Sequence, residues 1–574
     1  MRMWHGEAAN VTKVLDDPVL LRPPPLHRHM PVLGEQGGGM GGDPDGIVRM
    51  LAARVGGNFW GKAPSFTRPV IVTATDREQR KYGQGRLARL LDCVLRTVPA
   101  RNMVLVVRHP HGTAARMARY HGIACLTEPV DPHAILDAAQ EIHSLGTGDI
   151  VRLAALRGLR AWRYDSDLVA CPVTYDHCVR DLTVRTGYTD PFTHRPVPLG
   201  RIIDILSLWR NRIMMNREIA VCVGMAVWKR KRIGEFLAQS PGYPAFRRRA
   251  AEALGLAVRK RGAIVGWATR LPKDMAQIAR ESNVPLWRME DGFVRSVGLG
   301  SDLCVPCSIF VDRRGIYYDP SGPSDLEHIL ATTTFDAPLL ARARRLIHRM
   351  VDGGVTKYGR TSDTTQRPDW QAGNRRVILV PGQVDDDLSV RRGGGAIQGN
   401  QQLLRAVRER NPDAFVIYRP HPDVDAGHRA GHLQPAEIMK YANHVSRGGS
   451  ITTIMMQVDE IHTLTSLAGF EALLRNRTVV TYGVPFYSGW GLTTDLGNVP
   501  CARRNRSLSV DALVAGTLLL YPLYLDPVTG LPCEIETLLD RFGEGHIWRI
   551  SLLTRLRRLQ GKLTSLCGRR NNNE

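Results

Sequence analysis

The sequence predicts an α/β protein built mainly on parallel sheets, and three observations carry that prediction. From Pro69 onward, short β-branched runs alternate with helical stretches. A block of motifs then occurs twice in the same order. Finally, the acidic pair Glu290-Asp291 stands before Gly292 at the end of an apolar run, VPLWRM. In open α/β sheets the carboxyl edge of the strands is where ligands bind.

Residues 1–66 are rich in proline and glycine, as in PPPLHRH and GEQGGGMGG, and read as a flexible leader. Residues 67–218 and 219–546 hold the repeat. QEIHSLGTGDIVRLAALRGLRAWRYD matches DEIHTLTSLAGFEALLRNRTVVTYG, VLVVRHPHG matches FVIYRPHPD, and GYTDPFTHRPVPLGRIIDIL matches LYLDPVTGLPCEIETLLDRF. The spacing between copies grows along the chain, as loop insertions would make it. The first copy, 67–218, therefore reads as a C-terminal half-module. It keeps His109 and His143, but Arg152 stands where the second copy has Glu471, which predicts a degenerate, non-catalytic copy.

In the second copy, 219–224, 262–267, 284–289 and 307–312 predict the strands of a first Rossmann-like half, 219–358. The polar stretch 359–375 reads as a linker. Strands at 377–380, 415–418, 460–464 and 478–482 predict a second half, 376–546. Residues 547–574 place leucines at helical spacing among basic residues. That pattern predicts an amphipathic tail lying on an anionic membrane or, alternatively, packed on a domain.

The chain has 574 residues, 43% of them hydrophobic, enough for several cores. A formal charge of +22 implies an anionic partner. No nucleic-acid-binding motif accompanies that charge, so acidic lipids and anionic sugars are the better candidates. No apolar run reaches the roughly 18 residues that span a bilayer. The N-terminal MRMWHGEAAN shows no secretory core, which predicts a cytoplasmic location. Ten scattered cysteines do not form a disulfide framework, and Cys304 and Cys307 read as core thiols.

The candidate chemistry clusters at strand ends. Glu290 and Asp291 can serve as base or nucleophile, although an acidic residue before a helix is also a common cap. His421 lies between two prolines in RPHPD, which hold its loop. Thr465-Ser466 opens an apolar helix carrying Glu471, a seat for phosphate and ribose or else an ordinary cap. Gln383 and Asp385 follow the strand VILVP as ligand contacts. Three acids at 385–387 also invite a metal reading, which is the weaker one. Lys229, Arg295 and Arg419 are candidates for a sugar carboxylate and a phosphate. The loop 482–495, YGVPFYSGWGLTTD, reads equally as a sugar-contacting loop or as packed structure.

In order, EDGFVRSVGLGSDL, DRRGIYYDP, LVPGQVDDD, YRPHPD, SLAGFEALL and YGVPFYSGWGL closely resemble the capsule polysaccharide biosynthesis family of KpsC/LipA type, over roughly residues 220–546. The resemblance implies a GT-B-like pair of Rossmann-type halves. It implies a glycosyltransferase moving Kdo (3-deoxy-D-manno-octulosonic acid) from CMP-Kdo to a glycolipid acceptor at the inner-membrane surface, alongside other capsule assembly proteins, with no metal or other cofactor. Asp291 would be the nucleophile of a retaining reaction or, alternatively, the base of an inverting one. His421 would bind the CMP phosphate, and Ser466 and Glu471 the nucleotide. A non-catalytic assembly or export partner, or a transferase for another CMP-activated ulosonic acid, is the competing reading. Family members often carry two full modules, and this chain departs from that.

Overall fold

The computed structural model describes residues 19–26, 30–37, 43–75, 78, 85–107, 109–127, 129–297, 304–357, 359–360, 370–425 and 429–548. The chain divides into two compact units. One takes the N-terminal part to Asn216 together with Ala238–Tyr243, and the other takes Arg217–Leu237 and the chain from Pro244 onward.

The first unit opens with β1 (Gly34–Gln36) and contains β2 (Val70–Ala74), β3 (Met103–Val106), β4 (Ala124–Leu126), β5 (Glu141–Leu145), β6 (Arg160–Tyr164), β7 (Ala170–Pro172), β8 (Thr186–Thr189) and β9 (Pro196–Val197). Six of these form a sheet of order β4-β3-β2-β5-β6-β7, parallel except for β7. The central strand β2 (VIVTA) is buried along its whole length, as a strand covered on both faces must be.

The expected leader is corrected by its described part. A helix at Pro44–Ala52 starts on an Asp43 cap with proline in its first turn. Leu20, Leu21, Leu33, Ile47, Met50 and Phe59 are all buried. Proline and glycine dilute the composition of this stretch, yet enough aliphatic side chains remain locally to join a core.

The second unit carries β10 (Ile219–Val223), β11 (Ala245–Arg247), β12 (Ala263–Trp267), β13 (Leu286–Asp291), β14 (Ser308–Asp312), the hairpin β15 (Val355–Thr356) and β16 (Gly359–Arg360), then β17 (Val377–Pro381), β18 (Phe415–Arg419), β19 (His444–Val445), β20 (Glu460–Thr463), β21 (Thr478–Thr481), β22 (Thr494–Asp495), β23 (Leu523–Leu525) and β24 (Pro532–Cys533). Apart from the hairpin, they form two sheets, β11-β10-β12-β13-β14-β23-β24 and β19-β18-β17-β20-β21-β22. This is the GT-B-like pair of Rossmann-type halves. The second sheet is parallel throughout and has the same strand order as the sheet of the first unit.

The boundary expected at 376–546 is also corrected. After residue 509 the chain returns to the first half, where β23 pairs antiparallel with β14. Tyr521 stacks on Phe310 at 4.6 Å and donates to Asp312 at 2.8 Å. Periodicity identifies a strand but not the sheet that receives it. The first unit repeats this ending: a π-turn at Asp181–Arg185, then β8 and β9, parallels the π-turn at Ala515–Leu520, then β23 and β24. In it β1 pairs with β8 as β14 pairs with β23, so the first unit reaches further back than residue 67.

The two matching sheets share a buried polar clamp. His143 Nδ1 meets the Tyr164 hydroxyl at 2.9 Å, with Glu141 3.7 Å from Nε2. His462 Nδ1 meets Tyr482 at 3.2 Å, with Glu460 2.8 Å from Nε2. These strand-borne histidines face their own sheets. The tail from residue 549 lies outside the described residues, and among those residues no helix is long and apolar enough to cross a membrane.

Candidate active site

The cleft of the second unit, about 1040 Å³, lies between the carboxyl ends of β12 and β13 on one side and of β17, β18 and β20 on the other. Phe293, just after β13, stacks on Phe486 at 4.6 Å and packs against Phe310 and Tyr317, so aromatic contacts join the two halves at its floor.

Gly292 matters here for space. A Cβ on it would sit 2.1 Å from Ser308 Oγ, on the neighbouring strand β14. The strand end carrying Asp291 therefore lies closer to β14 than any other residue at 292 would allow.

Asp291 ends β13 between two cations. Lys229 Nζ lies 3.1 and 3.2 Å from its oxygens, and Arg295 Nε donates at 2.9 Å. Burial alone would raise the carboxyl pKa, but Arg295 and Lys229 outweigh it and hold the group below its usual range. Arg295 is 1% exposed and is fixed by Ser296 Oγ and the Cys304 carbonyl, so it braces Asp291 from behind. The Cys307 N–H donates to the Arg295 carbonyl at 2.7 Å, which gives the Cys304/Cys307 pair a scaffolding place. Lys229 stands 3.8 Å from the centroid of the Trp267 ring. Burial lowers its pKa, opposed by Asp291.

Glu290 behaves oppositely. Burial, and then the Asp291 charge, push its pKa from 4.5 to about 7, against Lys229 and the Thr269 N–H that it accepts at 3.1 Å. Adjacent carboxyls with pKa values driven apart are the pattern from which acid and nucleophile roles are assigned.

Across the cleft, His421 Nδ1 accepts the Asp423 N–H at 3.1 Å, which leaves the proton of the neutral ring on Nε2. Burial lowers its pKa, so the neutral form dominates near pH 7. Ser466 caps the helix Leu467–Leu473 by accepting the Ala468 N–H, and its hydroxyl proton is what it can offer a ligand. Glu471 on that helix is buried, and burial raises its pKa to about 7, against Arg475 and Lys357.

Three expected ligand contacts have other work. The Gln383 amide holds Thr465, donating to Oγ1 at 3.0 Å and accepting its N–H at 3.1 Å, so it shapes the loop before Ser466. Arg419 lines the cleft but donates to the carbonyls of Gly448 and Gly449. Asp385 lies outside the cleft lining and accepts the Asn400 N–H at 3.2 Å, a correction to its reading as a ligand contact. Its neighbour Asp386 pairs with Arg429, while Asp387 lines the cleft, so the three acids diverge. In the loop 482–495, Tyr487 and Trp490 are fully buried and only its first residues, including Phe486, reach the cleft.

Sequence reasoning missed Lys357. Its carbonyl accepts the Arg295 N–H at 3.0 Å and its N–H donates to Glu471 at 3.3 Å, linking the two halves beside the carboxylates. No periodicity marks this hairpin residue. Trp267 and Thr269 were also missed, although a tryptophan ending the strand GAIVGW, on the same edge as Asp291, was a usable signal.

The sequence profile of the family described as capsule polysaccharide biosynthesis protein matches residues 262–524. The Neisseria meningitidis serogroup A protein LipA, described as a capsule polysaccharide modification protein, is 41% identical over 350 residues, 61% of this chain and 49% of LipA. The Rhizobium meliloti lipopolysaccharide-processing protein LpsZ is 42% identical over 276 residues, 48% of this chain and 62% of LpsZ. The chain thus spans about half the length of LipA. A solved structure of Thermosulfurimonas dismutans KpsC, titled a beta Kdo 2,7 transferase, is 35% identical and covers 56% of this chain and 98% of that one, with a TM-score of 0.46.

Proposed function

Because the chain belongs, through residues 262–524, to the capsule polysaccharide biosynthesis family of KpsC/LipA type, we propose that its second unit is a glycosyltransferase moving Kdo from CMP-Kdo to a glycolipid acceptor. The observation that carries this reading is the pair of adjacent carboxyls with opposed pKa shifts in a cleft between two Rossmann-type halves. Asp291 stays ionised and is a poor base, which favours a nucleophile. One of its oxygens attacks the anomeric carbon of Kdo while the bond to the CMP phosphate breaks, and CMP leaves with the electron pair. His421 Nε2–H donates to that phosphate. The acceptor hydroxyl then displaces the carboxylate and gives its proton to Glu290, whose pKa near 7 suits proton transfer at neutral pH. Ser466 and Glu471 hold the nucleotide. The donor carries its own leaving group, so the reading assigns no metal and no further cofactor to the step. The first unit, with Arg152 where the second has Glu471, is read as non-catalytic.

The test is Asp291→Asn. Transfer from CMP-Kdo should fall at least about a thousandfold. Mass spectrometry of the unmodified protein with donor alone should find a sugar-sized adduct on the peptide carrying Asp291, absent in the variant. Arg295 would lose its counter-charge while keeping an amide oxygen, at a cost of about 1–3 kcal/mol of stability, so assays belong well below the melting temperature. Near-normal turnover in the folded variant would overturn the assignment.

A further inference from the structure

Residues 224–261 hold ten lysines and arginines against two glutamates. Lys229 pairs with Asp291 and Arg232 with Glu235. Among the described residues, Arg230, Lys231, Arg247, Arg248 and Arg249 have no acidic side chain within ion-pair distance. The fold gathers these five on one edge. Arg247 ends β11, the outermost strand of its sheet, in register with Val223, and Arg248 and Arg249 follow it. Arg230 and Lys231 begin the helix after β10, and the Arg230 guanidinium lies 5.7 Å from the centroid of the Phe246 ring.

All four parallel strands β11, β10, β12 and β13 run the same way, so this edge is also the one on which β13 presents Glu290 and Asp291. Three strand spacings separate β11 from β13, about 14 Å. Between them Trp228 and Lys229 line the cleft, and Val227 beside them is 65% exposed.

We propose that this basic lip, Arg230, Lys231 and Arg247–Arg249 with Val227 as its apolar point, docks on an anionic lipid bilayer and so presents the cleft mouth to a membrane-held acceptor. Unpaired cations are attracted by acidic headgroups, and an exposed apolar side chain among them gains by entering the headgroup region. That apolar point favours a bilayer over a nucleic acid, whose backbone offers it nothing. The orientation serves the transferase reading, on which the role of the lip rests. Docking itself is measured independently of turnover.

The test uses the full chain and vesicles of phosphatidylcholine with and without 30 mol % phosphatidylglycerol, a composition chosen for about physiological surface potential. One variant changes Arg247, Arg248 and Arg249 to glutamine. A control changes Arg259, Lys260 and Arg261, at the far end of the helix Ala250–Lys260, and loses the same charge. The lip variant should lose at least about tenfold in partitioning onto anionic vesicles while the control keeps most of it. CMP binding, followed by calorimetry, should be unchanged in both and shows that the cleft is intact. Equal losses in the two variants would reduce the effect to net charge and overturn the proposal. So would vesicle binding that survives in the lip variant, or a lip-dependent preference for duplex RNA over vesicles. If the lip variant loses vesicle binding but the intact chain never uses a CMP-sugar, docking stands and the transferase reading falls.

Discussion

Replacing Glu290 with glutamine separates the stability of this site from its chemistry. The Glu290 pKa rises from 4.5 to about 7 on folding, so the native state holds this proton more tightly than the unfolded chain does. The sign follows directly. Below about 4.5 the carboxyl is protonated in both states and folding loses nothing. As the pH rises from 4.5 to 7, stability drains away, and above 7 the whole cost of an ionised, buried carboxylate beside Asp291 is present. At about 1.4 kcal/mol per pH unit the shift corresponds to about 3 kcal/mol, and the partial exposure of the side chain to the cleft reduces that to about 2–3 kcal/mol. Glu290→Gln, never charged, should match the unmodified protein at pH 5 to within about 1 kcal/mol and exceed it by about 2–3 kcal/mol at pH 8. Denaturant titrations followed by tryptophan fluorescence suit the measurement, because Trp228 and Trp267 line the same cleft. Glu471 titrates in the same window but is present in both proteins and cancels in the difference. The same variant should lose most of its transfer activity at every pH. A stability difference independent of pH would show that Glu290 ionises normally, and its acid–base role would lose its basis.

His421→Ala should weaken CMP binding several-fold in a calorimetric titration while His109→Ala leaves it unchanged, since only His421 lines the cleft; two equivalent CMP sites per chain would contradict a non-catalytic first unit. Gly292→Ala should destabilise the second unit by about 1–3 kcal/mol and weaken donor binding, because the new Cβ must push Ser308 away; an unchanged melting curve would refute the packing argument.

Much of the site was legible because strand ends are. An apolar β-branched run followed by charged residues and a glycine fixes where a strand stops, and in a parallel sheet where it stops is where ligands meet it. Glu290, Asp291, His421, Ser466 and Glu471 were found on that logic, and all line one cleft. The logic places a residue at an edge without giving the direction of its side chain: Asp385 turns to Asn400, and Arg419, though at the cleft, braces a loop. The reason for Gly292 was hidden as well, since the crowding comes from Ser308 on another strand. Lys357 joins the two halves through its backbone N–H and carbonyl, which composition cannot reveal, and the return of 510–548 to the first sheet depends on long-range pairing that no local pattern encodes.

The twin Glu–His–Tyr clamps, Glu141–His143–Tyr164 and Glu460–His462–Tyr482, begin at the first residue of a strand in each sheet. In the second of these sheets His421 and Glu471 come after the carboxyl ends of their strands, at the opposite rim, and the Glu290–Asp291 pair faces them from the other half. In this architecture the fastening and the reactive surface are therefore separable parts. Both sheets keep this fastening although Arg152 stands in the first where Glu471 stands in the second. The same division suits the first unit to grafting: loops after the carboxyl ends of its strands can be exchanged for those of the second unit with the fastening left untouched.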